Sequence, residues 1–237
     1  MPTAILVDGG FFLRRINWKF PDIDPDKPEN IATAVSTLAY FHMALRIGAK
    51  NMAERISTNN ITPVETDELY RIFFYDCPPL TKKVHLPVSK KALDLSKTPI
   101  ATFRLAVHEQ LRRTRKVALR LGRLNESFGW KLKNESQRRL LVEKQNFQAS
   151  DDDFELDVVQ KGVDMRLGMD VASLAYKKQV NQIILVAADA DFVPAVKLAR
   201  REGIDVLIDP LGANPAADLV EHSDGVRNHR VSGGPNG

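Results

Sequence analysis

Residues 182–208 read QIILVAADADFVPAVKLARREGIDVLI. An apolar run comes first, a segment with helical spacing follows, and a second apolar run ends the stretch. We expect a buried strand over 182–187, a helix over 192–202 and a strand over 205–208. Strands that are apolar throughout and alternate with helices are typical of a parallel sheet covered on both faces. The stretch therefore predicts a three-layer α/β/α fold with a mainly parallel central sheet.

The remainder of the chain extends this pattern. Further strands are predicted over 3–7, 68–75 and 154–159, and further helices over 11–16, 31–47, 101–119, 164–178 and 216–221. Residues 80–100 have weak periodicity and two prolines, and short extended pieces are expected within 121–133. We expect one domain over residues 1–226, with a basic insertion at about 80–150, followed by a flexible tail at 227–237.

The composition of the chain argues against disulfide-bonded, Cys-rich zinc and membrane proteins. The single cysteine, Cys77, excludes an internal disulfide and a Cys-rich zinc site. No apolar run approaches the roughly 20 residues that span a bilayer, and the first apolar run ends at Asp8, too soon for a signal peptide. We expect no membrane contact and a cytoplasmic location.

Basic residues are concentrated in the middle of the chain. Residues 103–145 contain twelve Lys or Arg and four Asp or Glu, a local charge of +8 in a chain with a net charge of +4. Such asymmetry is typical of a track for a polyanion beside an acidic pocket, although a solvated helix face would have the same composition.

Aspartates follow the predicted strands. Asp8, Asp76 and Asp189 each end a strand, and Asp164 begins the helix after strand 154–159. Ligand sites in parallel sheets lie beyond the carboxyl ends of the strands, so we expect these four residues at one edge. Each one alone is also explained as a turn former or a helix cap.

Carboxylates that converge repel one another unless a divalent cation neutralises them. The five histidines lack ligand spacing, so the oxygen ligands favour Mg²⁺ or Mn²⁺ over zinc. Asp164 lies in the first turn of its helix and is the better ligand. Asp170 lies roughly 9 Å deeper along the axis and is expected to pair with a basic side chain. Asp191 caps the next helix or holds a metal-bound water.

Four segments carry a resemblance to a known family. They are ILVDGGFF at 5–12, RIFFYDCPP at 71–79, QKGVDMRLGMDVASLA at 160–175 and ILVAADADFVPAVKLARREGIDV at 184–206. With these motifs the chain resembles the NYN family, specifically its bacterial LabA-like branch, within the PIN-like nuclease superfamily. The resemblance implies a Rossmann-like PIN/NYN topology.

The resemblance also implies an activity, that of a metal-dependent endoribonuclease acting on single-stranded RNA. By position, the catalytic residues of the family correspond to Asp8, Asp164, Asp189 and Asp191. The first three would hold one or two Mg²⁺ or Mn²⁺ ions, and Asp191 would orient water. Asp76 and Asp170 would support the ligands, and Lys161 would approach the phosphate.

RNA is the expected partner, and homodimer formation is left open. Candidate contacts to the RNA backbone are Arg112, Arg113, Arg115, Lys116 and Arg120. We expect four of them to share one helical face at spacings of four and eight residues: Arg112, Arg113, Lys116 and Arg120.

Two alternatives remain open. A non-catalytic RNA-binding or scaffold module would keep the fold without the chemistry. A phosphatase is disfavoured because Gly9 and Gly10, and not a second carboxylate, follow Asp8. A dinucleotide site is weaker still, because no G-x-G-x-x-G follows a strand.

Overall fold

The computed structural model describes residues 2–47, 68–125 and 129–230. The strands are β1 (Thr3–Asp8), β2 (Leu69–Asp76), β3 (Lys83–His85), β4 (Ala92–Asp94), β5 (Val117–Leu121), β6 (Arg123–Leu124), β7 (Trp130–Leu132), β8 (Phe154–Leu156), β9 (Gln160–Lys161), β10 (Gln182–Val186), β11 (Asp205–Ile208) and β12 (Gly225–Val226). The helices are α1 (Gly9–Lys19), α2 (Pro28–Ile47), α3 (Pro99–Arg113), α4 (Asn134–Glu143), α5 (Val163–Tyr176), α6 (Val193–Arg201) and α7 (Ala217–Glu221).

Six strands form the central sheet in the order β12-β11-β10-β1-β2-β5. Every neighbouring pair is parallel. The central strands β1 and β10 are apolar along almost their whole length and almost wholly buried, as expected when helices cover both faces. The predicted three-layer α/β/α fold with a parallel sheet is confirmed.

Side chains that alternate along β1 supply two separate cores. Ala4 and Leu6 pack in the core formed with α5, α6 and α7, whereas Ile5 and Val7 pack in the core formed with α1, α2 and α3. This alternation follows from the two-residue period of a strand. The sheet is therefore held between two helical layers, and α1 and α5 lie on opposite faces.

Glycine permits the sharp change from β1 to α1. A Cβ at Gly9 would lie 2.4 Å from Cε1 of Phe74 and 2.6 Å from the carbonyl oxygen of Tyr75. The backbone of Gly9 thus contacts β2 more closely than any other residue could. This contact fixes the direction of α1 at the point where Asp8 ends β1.

The helix predicted over 101–119 is wrong at its C-terminal end. It ends at Arg113, and residues 117–121 form the edge strand β5 instead. Lys116 has a φ of 63°, a value that interrupts a helix. Lys116 and Arg120 consequently do not share a helical face with Arg112 and Arg113.

The middle of the chain contains more structure than predicted. Residues 80–100 include the hairpin of β3 and β4, and α4 was not predicted. The strand predicted over 154–159 is wrong in its extent and sheet, because only β8 forms and it pairs antiparallel with β7. Residues 227–230 lack regular secondary structure, and the rest of the predicted tail, 231–237, lies outside the described residues.

A buried polar cluster joins both ends of the chain. The Lys19 ammonium and Nε2 of His42 lie 2.6 and 2.8 Å from Oδ2 of Asp209, and all three side chains are fully buried. Burial would raise the pKa of Asp209, but its bonds to His42 and Lys19 outweigh burial and lower that pKa. The cluster connects α1, α2 and the end of β11.

None of the described helices is both long and apolar enough to cross a membrane.

Candidate active site

The order of the strands defines a switch point in the sheet, between β1 and β10. From β1 the chain continues to β2 on one side, and later places β10 on the other side of β1. The chain therefore adds strands first on one side of β1 and then on the other, and ligands of parallel sheets bind beyond such a switch point. Asp8 is the last residue of β1, and Asp189 lies three residues beyond the end of β10.

Asp8 has a defined position because it caps α1. Its Oδ1 accepts a hydrogen bond of 3.0 Å from the amide of Phe11. Burial raises the pKa of Asp8, against the effects of the Phe11 amide and Arg14, and the charge of Asp164 raises it further. The second carboxylate is therefore close enough to act on the first.

Asp164 reaches the same edge by a route that differs from the predicted one. The preceding strand β9 pairs with β6 outside the central sheet, and Gly162, with a φ of 78°, caps the start of α5. Asp164 is an exposed residue of the first helical turn. The protein around it removes part of the carboxyl group from solvent and so raises its pKa, and the charges of Asp191 and Asp189 raise that pKa further.

Asp189 and Asp191 belong to the connection between β10 and α6. Oδ1 of Asp189 accepts a hydrogen bond of 3.2 Å from the amide of Asp191, so Asp189 caps the short 3-10 turn there. Both residues are exposed. Capping thus accounts for Asp189, whereas the Asp191 carboxylate makes no hydrogen bond or ion pair to any described residue.

These electrostatic effects connect four aspartates from three parts of the chain, which we call the acidic cluster: Asp8, Asp164, Asp189 and Asp191. Their oxygen donors and mutual repulsion suit a hard divalent cation. Across the described segments, no group of three or more His, Cys, Asp or Glu side chains is arranged so that it could hold a metal ion. Three of the four side chains are exposed. The donor set fits the ion in chemistry, and its side chains would have to come closer together to hold it.

Asp170 is held by two neighbours and not by the acidic cluster. The Tyr75 hydroxyl donates a hydrogen bond of 2.9 Å to Oδ2 of Asp170, and Nε of Arg120 donates to the same atom over 3.0 Å. Pairing of Asp170 with a basic side chain, expected from its depth along the helix, is present. Arg120 is correspondingly committed to this pair.

Asp76 is turned away into the layer of α3. It is 1% exposed and accepts a hydrogen bond of 2.6 Å from Arg104, and Nε2 of His108 lies 2.8 Å from it. Burial would raise the pKa of Asp76, but the bonds from His108 and Arg104 outweigh burial and hold it below its usual range. These contacts join β2 to α3.

The predicted RNA contacts do not gather near the aspartates. Because α3 leads into the start of β5, Arg112, Arg113, Arg115 and Lys116 lie at the amino edge of the parallel sheet. Arg112 and Arg113 pair with Glu109, and the Lys116 ammonium donates to the carbonyl oxygen of Leu69.

Two cations lie nearer to the acidic residues. Lys161 is exposed three residues before Asp164. Arg14, which we did not predict, lies on α1 close enough to lower the pKa of Asp8. Arg14 lies four residues after Gly10, so both residues share one face of the helix that follows Asp8. This spacing could have been read from the sequence.

Comparison with known proteins identifies the family. The model of the NYN domain matches residues 104–224, which include three aspartates of the cluster but not Asp8. No curated protein and no solved structure matches the chain. The match covers more than half of the chain and agrees with the parallel α/β/α sheet. The chain belongs to the NYN domain family.

Proposed function

We propose that this protein is a metal-dependent endoribonuclease that hydrolyses phosphodiester bonds of single-stranded RNA at the acidic cluster. The observation that supports this proposal is electrostatic. Burial raises the pKa of Asp164, and the charges of Asp191 and Asp189 raise it further. Burial also raises the pKa of Asp8, and the charge of Asp164 adds to that effect, although the residues come from distant parts of the chain. Such repulsion costs free energy in the folded protein, and a bound divalent cation would offset that cost.

Family membership supports the same class of function. The NYN domain points to a nuclease-like, RNA-related protein, with RNA as substrate or partner. We infer the LabA-like branch from the K-G-V-D motif at 161–164 and the D-A-D-F-V-P motif at 189–194. Asp164, Asp189 and Asp191 lie inside the matched region, and β1 adds Asp8 beside β10.

Each aspartate has a distinct role in this proposal. Asp8, Asp164 and Asp189 would hold one or two Mg²⁺ or Mn²⁺ ions, and Asp191 would orient the attacking water. The ion, when bound, lowers the pKa of water and stabilises charge on the phosphate. The Phe11 amide fixes one oxygen of Asp8, and the Asp191 amide fixes one oxygen of Asp189. The remaining oxygens are available to the ion.

One observation favours a second candidate, an RNA-binding or scaffold module without catalysis. No described group of three acids is already arranged as a set of metal ligands. A module would use the basic surface and leave the aspartates as helix caps. A phosphatase has less support, because Gly9 and Gly10 follow Asp8 where an aspartyl-phosphate mechanism needs a second carboxylate.

Cleavage and binding of one labelled single-stranded RNA separate these candidates. The proteins are wild type, Asp8→Asn, Asp164→Asn and the control Asp152→Asn, an exposed acid in the 3-10 turn before β8. We expect cutting with Mg²⁺ or Mn²⁺ by wild type and the control, and a loss of at least about 100-fold in the other two variants. Salt-sensitive RNA binding without cutting by any protein would support the module and contradict the nuclease.

A further inference from the structure

Arg14 lies near Asp8, and the side chains of both residues border the space beside Gly10. A Cβ built on Gly10 would be 3.4 Å from Oδ1 of Asp8 and 3.5 Å from Nη1 of Arg14. A methyl group on Gly10 would therefore touch both the carboxylate and the guanidinium, and we call the space that it would occupy the gap. Gly10 leaves this gap at the start of α1, on the edge where the acidic cluster lies.

Arg14 is also exposed and uncommitted. Within the described ranges its guanidinium makes no hydrogen bond or ion pair, in contrast to those of three other arginines. Arg104 is bound to Asp76, Arg120 to Asp170, and Arg15 donates to the carbonyl oxygen of Leu211. A guanidinium without a partner beside the acidic cluster is suited to a ligand that carries negative charge and lies next to a cation.

We propose that Arg14 binds a non-bridging oxygen of the scissile phosphate, across the gap left by Gly10. The inference rests on the proposed ribonuclease function, because it assigns a residue to the substrate of that same site. The planar guanidinium can donate two parallel hydrogen bonds to a phosphate, which fixes its orientation as well as its position. The phosphate would then lie between the ion-binding carboxylates and a cation supplied by α1.

A different role for Arg14 makes different predictions. If Arg14 acted only through Asp8, its removal would change the pH profile and the metal concentration needed for cleavage, with an unchanged KM for RNA. If Arg14 binds phosphate, its removal raises KM or lowers kcat. The metal requirement then stays the same or falls, because a cation that repels the ion has been removed.

The test compares kinetics of RNA cleavage in Arg14→Ala, Arg14→Lys, Gly10→Ala and the control Arg201→Ala. Arg201 is exposed at the end of α6, towards the opposite edge of the sheet. We expect kcat/KM to fall about 10- to 100-fold in Arg14→Ala, the range for a hydrogen bond to a charged group. Arg14→Lys should recover part of the loss, and Arg201→Ala should stay within about twofold.

Gly10→Ala provides a second variant with little risk to folding, because the added methyl makes only ordinary contacts. It should reduce kcat/KM by obstructing the gap while Arg14 is intact. Cleavage by wild type with unchanged kinetics in Arg14→Ala would overturn the role of Arg14 alone. Absence of metal-dependent cleavage by wild type would overturn the proposed function, and the role of Arg14 with it.

Discussion

Arg120 on β5 forms a two-point ion pair with Asp170 on α5, from Nε to Oδ2 over 3.0 Å and from Nη2 to Oδ1 over 3.3 Å. The hydroxyl of Tyr75, from the neighbouring strand β2, donates to the same carboxylate. Three elements thus meet at one side chain. Because α5 also carries Asp164, the ion pair helps to fix the position of Asp164 relative to the sheet.

Asp170→Ala is expected to destabilise the fold by about 1–3 kcal/mol, because it leaves Tyr75 and Arg120 without their acceptor. The measurement is urea unfolding, with Asp152→Ala as the exposed control that should change stability by less than about 0.5 kcal/mol. Cleavage below the unfolding transition should fall far less than in Asp164→Asn. Equal free energies of unfolding for Asp170→Ala and Asp152→Ala would show that the ion pair does not stabilise the fold.

Asp164→Asn is expected to have the opposite effect on stability. The folded protein raises the pKa of Asp164, so its charge is unfavourable at neutral pH, and replacing it by a neutral side chain removes that cost. In buffer with a chelator, the free energy of unfolding should equal or exceed that of wild type. A clear loss of stability without metal would contradict repulsion within the cluster.

Divalent cations are expected to stabilise the wild-type protein. An ion that binds only the folded state at 100 times its dissociation constant adds about 2.7 kcal/mol. Thermal unfolding with increasing Mn²⁺ should show a saturable rise in Tm that is lost in Asp8→Asn and Asp164→Asn and kept in Asp152→Asn. The same rise in all four proteins would place the ion elsewhere.

Stability is expected to fall below about pH 6.5 because of His42. Burial lowers the pKa of this imidazole from its ordinary value of 6.5, so the unfolded chain takes up a proton there that the folded protein does not. The unfolding free energy then falls with decreasing pH, with a slope that approaches about 1.4 kcal/mol per pH unit from this residue. Urea unfolding between pH 5 and 7 should show a smaller slope in His42→Gln. An unchanged slope would contradict this assignment.

The basic end of α3 is expected to contribute to RNA affinity without changing the chemical step. Replacing Arg112, Arg113 and Arg115 by alanine removes three charges and should reduce the salt dependence of RNA binding by about two units in the log–log slope. The cleavage rate at saturating RNA should be unchanged, because these residues lie at the opposite edge from Asp8. A salt dependence equal to that of wild type would exclude this surface from the RNA path.

The central sheet could be predicted because its signal is local. The strands β10 and β11 and the helix α6 each carry a continuous apolar pattern, and their bounds agree with the prediction within two residues. The helix predicted over 101–119 failed because its apolar spacing continues into 117–119. Pairing of these residues with β2, a long-range contact, decides that they form a strand.

That aspartates lie at the carboxyl edge of the sheet could be predicted from the rule for parallel strands. The side chains that contact each aspartate could not be predicted. The partners of Asp76, which are Arg104 and His108, depend on how α3 packs against β2. Asp209 similarly meets Lys19, a residue 190 positions away in the sequence. A sequence shows which carboxylates follow strands, whereas tertiary packing decides which of them are neutralised by cations and which remain available to an ion.

Cleavage of a circular single-stranded RNA in saturating Mn²⁺, by wild type and Asp164→Asn prepared in parallel, tests the central claim most directly. A circle has no ends, so only an endonuclease can open it. We expect wild type to linearise the circle, a chelator to stop the reaction, and Asp164→Asn to be at least about 100-fold slower. Equal rates for the two proteins, or no opening of the circle by wild type, would contradict a metal-dependent endoribonuclease at the acidic cluster.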